Sequence, residues 1–111
     1  MTVGDLRDKL SLTVLTCEDQ LDRETSGCYI GDLLSWVMGR AQEDAAWITV
    51  MGNVNAIAVA KLADLSCIIL CENAPLDADA KAQATANGIV ILSGEEPAYR
   101  LAVKLYETSK E

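Results

Sequence analysis

A chain of 111 residues fits one compact domain, and half of its residues are apolar, which provides a core of Leu, Ile, Val and Ala because aromatics make up only 5%. Seventeen acids against nine bases give a formal charge of −8, which repels polyanions and sets nucleic acid and anionic membranes aside as partners. The absence of histidine removes the commonest general base and metal ligand, so neither a Ser-His-Asp nor a Cys-His site can form within the chain.

In chain order, Thr2 reads as an N-cap ahead of a short helix with Leu6 and Leu10 four residues apart. LTVLT at 12–16 is β-branched and apolar, a strand. A polar loop, CEDQLDRETSG, ends in Gly27, and CYI at 28–30 is a short strand. Gly31-Asp32 opens a helix carrying Leu33, Leu34, Val37, Met38 and Ala41 on one face. AWITVM at 46–51 is a near-continuous apolar run, the pattern of a strand covered on both faces. The helix 53–64 follows, capped by Asn53 or Asn55, and SCIIL at 66–70 is a second buried strand. DADAKAQATANG is an Ala-rich helix closed by Gly88, and GIVIL at 88–92 is the last strand. The final helix starts at a Ser93 cap with Glu96 three residues on, or at Pro97. It sets Ala98, Leu101, Ala102 and Leu105 on one stripe and Glu96, Arg100 and Lys104 on the polar side. From residue 46 onward the alternation predicts a largely parallel sheet covered by helices, a single-domain α/β sandwich joined by right-handed crossovers.

Little in this pattern proposes chemistry. Neither GxxxxGK[ST] nor GxGxxG occurs, so the phosphate-loop and dinucleotide signatures are missing. Cys17, Cys28, Cys67 and Cys71 form no CxxC pair. Cys67 and Cys71 fall on one face of their strand and read as buried, reduced hydrophobes. Asp19, Asp22 and Glu24 read as a solvated loop, with a magnesium site the lesser alternative. No cofactor and no metal site is implied. The start TVGDLRDKL lacks the basic and apolar regions of an export signal, and no apolar stretch is long enough to span a bilayer, so the expectation is a soluble, cytoplasmic protein.

Two surfaces remain open. Ligands of open α/β sheets sit outside the carboxyl ends of the strands, where Asp32, Asn53, Asn55 and Ser93 fall; each is also an ordinary helix-capping residue. The helix 53–64 is apolar around most of its circumference, with Val54, Ile57, Ala58 and Leu62 as the candidate face for a second copy. A helix sunk in a single core would have the same composition.

DRETSGCYIGDLLSWVMGRA, WITVMGNVNAIAVAKLADLSCIIL and GIVILS together resemble the DRTGG domain family over nearly the whole chain. The most specific part is Asp22-Arg23, Gly27, Tyr29 and Gly31-Asp32-Leu33-Leu34-Ser35; where the family often has a second glycine this chain has Cys28. The resemblance implies a fold similar to the N-terminal domain of HPr kinase/phosphorylase, without that enzyme's catalytic domain. DRTGG domains accompany CBS-domain pairs in pyrophosphatases that adenine nucleotides regulate, and also phosphotransacetylases. The family thus implies a homodimeric regulatory or assembly module or, alternatively, a sensor of an adenine nucleotide or similar phosphorylated metabolite, with a kinase-related or other enzyme as a distant third reading. Relatives encoded near hydrogenase or iron–sulfur genes point to a partner protein in redox or energy metabolism. In the motif, Asp22 and Arg23 are expected to order the loop by pairing with each other or with backbone, Gly27 to permit the turn, and Asp32 to start the helix.

Overall fold

A computed structural model describes residues 1–110. The elements are α1 (Val3–Leu10), β1 (Thr13–Val14), a 3-10 turn (Glu18–Gln20), β2 (Cys28–Ile30), α2 (Leu34–Arg40), β3 (Ala46–Thr49), α3 (Val54–Leu62), β4 (Cys67–Leu70), α4 (Ala78–Asn87), β5 (Ile91–Ser93) and α5 (Ala98–Ser109). The strands form one sheet in the order β1-β5-β4-β3-β2. β2 to β5 run parallel and in sequence order, and β1 lies antiparallel to β5 with Thr13 opposite Ser93 and Val14 opposite Leu92. The predicted α/β sandwich with a largely parallel sheet is what forms.

Each parallel crossover steps one strand the same way, so right-handed connections put α2, α3 and α4 on a single face. There Val37, Ile57, Ala60 and Ala84 pack against Trp47, Ile68 and Ile91. α1 and α5 cover the opposite face, where Leu6, Leu10, Leu101 and Leu105 meet Ala46, Ile48, Ile69 and Leu92. Every residue of β3 and β4 is buried, as the continuous apolar runs predict. Burying each large aliphatic side chain contributes about 1.5–3 kcal/mol. Cys67 and Cys71 do share one face, beneath α1 and α5.

Local chemistry sets the ends of the elements. Thr2 and Asp5 form a reciprocal capping box: the Asp5 amide donates to the Thr2 hydroxyl at 3.1 Å and the Thr2 amide to the Asp5 carboxylate at 2.9 Å. Asn53 caps α3 by accepting from the Ala56 amide at 3.0 Å, and Gly88 closes α4 at φ 69°. The strand expected over 12–16 narrows to Thr13–Val14 because Thr16 pairs through its side chain. Its hydroxyl donates to the Ile89 carbonyl at 2.7 Å and accepts from the Ile91 amide at 2.9 Å. α5 begins after Pro97, while Ser93 ends β5 and caps no helix. Glu96 therefore precedes the helix and reaches forward to Lys104 at 2.8 Å. No helix among the described residues is long and apolar enough to cross a membrane.

Candidate functional site

Asp32, Asn53, Asn55 and Ser93 do fall near the carboxyl ends of the strands. Asp32 does not start α2, which opens at Leu33 without a side-chain cap. Its Oδ1 turns to the neighbouring strand end instead, accepting from the Thr49 hydroxyl at 2.6 Å and the Val50 amide at 3.1 Å. Asn53 spends its side-chain oxygen on its own helix, Asn55 lies exposed in the first turn of α3, and Ser93 is half-buried at the end of β5. These positions lie at one pole of the sheet but on three separate strand–helix junctions, with Asn53 and Asn55 sharing the one between β3 and α3. Because the parallel strands follow in sequence order, they form no reversal point, where the crevice of an open α/β sheet opens.

This pole is also held shut. The Glu72 amide donates to the Glu96 carbonyl at 3.0 Å, the Asn73 amide to Gly94 at 2.9 Å, and the Asp77 amide to Gly52 at 2.9 Å. Glu72 and Asn73 both sit in the left-handed region, at φ 55° and 53°. A Cβ at Gly52 would collide with the Pro75 carbonyl, so only glycine allows this approach. Asp32, Glu72 and Glu95 are exposed here and give the pole a negative rim.

At the opposite pole, the Asp22–Gly27 segment is built around Arg23. Arg23 does not pair with Asp22, which points into solvent. One of its terminal nitrogens donates to Asp44 Oδ1 at 2.9 Å, Asp64 Oδ1 at 3.0 Å and the Asp64 carbonyl at 2.9 Å. Burial by itself would make the guanidinium easier to deprotonate, but the two carboxylates outweigh it and strengthen its hold on the proton. Asp44 and Asp64 precede β3 and β4 and adopt φ 67° and 55°, a conformation Asp tolerates better than most residues. Thr25 adds a buried hydroxyl pair with Ser66 at 2.7 Å, and the Ser26 amide donates to the Asp44 carbonyl at 2.9 Å. The motif thus ties the amino ends of β2, β3 and β4 together. Gly27 makes the turn at φ 76°, Tyr29 packs against the α2–α4 core, and the Gly31 carbonyl accepts from the buried Trp47 Nε1 at 2.8 Å.

Sequence reasoning missed Asp44 and Asp64; the signal it offered was an acid shortly before each buried strand, in EDAAWIT and ADLSCII. It also missed a cavity of about 340 Å³ beside Thr25, Ser26 and Gly27, floored by Leu6 and Leu105. Among the described residues no charged side chain lines this cavity, and the Met1 ammonium beside it is paired with Glu24 at 3.1 Å.

The candidate interface helix divides. Ile57 is only 2% exposed and packs in the core of its own chain, which corrects its assignment to a partner-facing surface. Val54, Ala58 and Leu62 point outward along one side of α3, with Leu62 74% exposed. A shallow groove runs from Val54, Ile57, Ala58 and Lys61 to Gln83 and Asn87 of α4, with Ile57 at its buried side.

Burial makes Cys67 a poor nucleophile, raising its thiol to about 12, and pushes Cys17 and Cys71 up as well, while Cys28 lies exposed on β2. Among the described residues no group of three or more acidic or thiol side chains is placed to hold a metal ion.

No protein-family model matches the chain, and no curated protein matches it either. A solved structure does: the CBS and DRTGG domains of the regulatory region of Clostridium perfringens pyrophosphatase, complexed with its activator diadenosine tetraphosphate. The two superpose with a TM-score of 0.79 over 96% of this chain at 10% sequence identity, and this chain spans 46% of the length of that one. The chain therefore shares its fold with part of the regulatory region of an enzyme.

Proposed function

We propose that the chain is a single DRTGG-like domain over residues 1–111, a cytoplasmic, non-catalytic regulatory or assembly module that works as a homodimer. The observation that carries this reading is the fold held in common with a pyrophosphatase's regulatory region. A chain without histidine and with Cys67 and Cys71 buried in the core supports it. So does the use of Asp32, Asn53 and Arg23 for holding backbone and neighbouring loops in place. The outward stripe Val54, Ala58 and Leu62 provides apolar surface for a second copy or for a protein of redox or energy metabolism.

A second reading, a sensor of adenine nucleotides at the strand ends, draws on one observation: the solved structure holds diadenosine tetraphosphate as activator. Asp32, Asn53, Asn55 and Ser93 would then contact the ligand. The exposed acids Asp32, Glu72 and Glu95 oppose a phosphate there.

Thermal melts with AMP, ADP, ATP and diadenosine tetraphosphate, with and without magnesium, separate the two. A ligand at a hundred times its dissociation constant adds about 2.7 kcal/mol, on the order of ten degrees for a domain this size. The expected result is a flat panel. A dose-dependent rise with one compound transfers the function to the sensor.

A further inference from the structure

β1 and β2 form the two edges of the sheet. A free edge invites pairing with another chain, and proteins blunt it with charge, proline, a bulge or brevity. β1 is blunted. The Leu15 amide donates to the Ile91 carbonyl at 2.8 Å, so Thr13 and Leu15 face β5 and Val14 alone turns its backbone groups outward.

β2 is also short, at three residues, but carries neither charge nor proline and turns two residues outward. The Ala46 amide donates to the Gly27 carbonyl at 3.2 Å, and the Gly31 amide donates to the Ile48 carbonyl at 3.3 Å. Residues 27, 29 and 31 therefore face β3, and by alternation Cys28 and Ile30 direct their amides and carbonyls away from the sheet. Both residues are exposed, Ile30 at 49%. No charged residue and no proline occurs from Ser26 to Gly31, in a chain whose net charge is −8. α2, packed on the Tyr29 side of the sheet, exposes Leu33 and Trp36.

We propose that β2 pairs with β2 of a second copy, antiparallel about a two-fold axis at Tyr29, joining two sheets into one. This rests on the homodimeric reading above and names its surface as the sheet edge, away from the α3 stripe. The segment is self-complementary. Cys28 of each copy stands opposite Ile30 of the other, so outward amides meet outward carbonyls on both sides of the axis. Tyr29 stands opposite Tyr29, an aromatic cross-strand pair. The same register sets Asp32 level with Ser26, so no acid meets an acid across the axis. Two strongly acidic chains thus meet at the stretch that costs least in like-charge repulsion.

Amide hydrogen exchange on the full chain, with its mass followed by sedimentation equilibrium from micromolar to submillimolar concentration, tests the pairing. The expected result is a dimer in which the Cys28 and Ile30 amides exchange as slowly as those of Tyr29 and Gly31. Ile30→Lys, which charges the edge, and Ile30→Pro, which removes an outward donor that β3 does not use, should each give a folded chain near the 11.9 kDa monomer mass. A wild-type monomer overturns both this inference and the homodimeric reading. A dimer with freely exchanging Cys28 and Ile30 amides, or a folded Ile30→Lys dimer, overturns the edge pairing alone. A dimer lost on Leu62→Glu with Cys28 and Ile30 unprotected assigns the interface to α3 instead.

Discussion

Arg23 holds in place two loops that lie far along the chain, with partners 21 and 41 residues away. The pairing is partly exposed, which screens it, yet one nitrogen serves three acceptors and its loss would leave two carboxylates facing each other. Arg23→Met is expected to cost about 1–2 kcal/mol, read as a fall in Tm of several degrees. Arg23→Lys should recover only part, because an ammonium lacks the guanidinium's rigid fork. Asp22→Ala should stay within about 0.5 kcal/mol of wild type. That contrast separates neighbours in sequence that read alike as a charged pair. The motif itself was legible as a motif. Its partners were not, because they are fixed by the spacing of β3 and β4 in space, which no local pattern encodes. Asp32 carries the same lesson: as a capping type beside an apolar helix it read as a cap, but the parallel register of Ile30 with Ile48 brings Thr49 within its reach.

At the scale of elements, hydrophobic period, caps and composition located the α-helices and strands but not the 3-10 turn at Glu18–Gln20, with ends shifted where a side chain replaced a backbone partner, as Thr16 does for β1. It did not say which side of α3 faces in. An apolar circumference gives no moment to orient a helix, so Ile57 and Leu62 looked equivalent. They are opposites in the structure, and mutation should show it. Ile57→Ala should cost about 2–4 kcal/mol by opening a cavity in the core. Leu62→Glu should leave the melting temperature nearly unchanged, since a side chain 74% exposed has little burial to lose. Chemical denaturation of the two variants checks both.

For the whole molecule, charge sets the response to acid. Hydrogen bonds from the Thr2 amide and hydroxyl hold the Asp5 carboxyl below its ordinary 3.8, and the bond from Lys104 holds Glu96 below its ordinary 4.5. A depressed folded pKa stabilises above the unfolded value and is lost as pH falls through the folded one. Opposing this, protonating ordinary carboxylates relieves the self-repulsion of a chain at −8. The second effect acts first as pH drops from neutrality, and the stabilisation from Glu96 and Asp5 is lost below their ordinary 4.5 and 3.8. Thermal melts across the acid range should therefore show a plateau followed by a fall, and Glu96→Gln should soften the fall. Strand order was the part of the architecture least legible in sequence. Alternation predicts parallel neighbours, but a two-residue β1 carries no mark of the edge it will join.

The pairing of β1 with β5 joins opposite ends of the chain, Thr13 to Ser93 and Val14 to Leu92, and Thr16 adds its hydroxyl to Ile89 and Ile91. During synthesis β1 precedes its strand neighbour, β5, by the rest of the parallel sheet. The four parallel strands can assemble by successive local crossovers while the amino-terminal segment waits. Pairing across so long a stretch of chain raises the contact order, so the β1–β5 pairing is expected to form late and to slow folding.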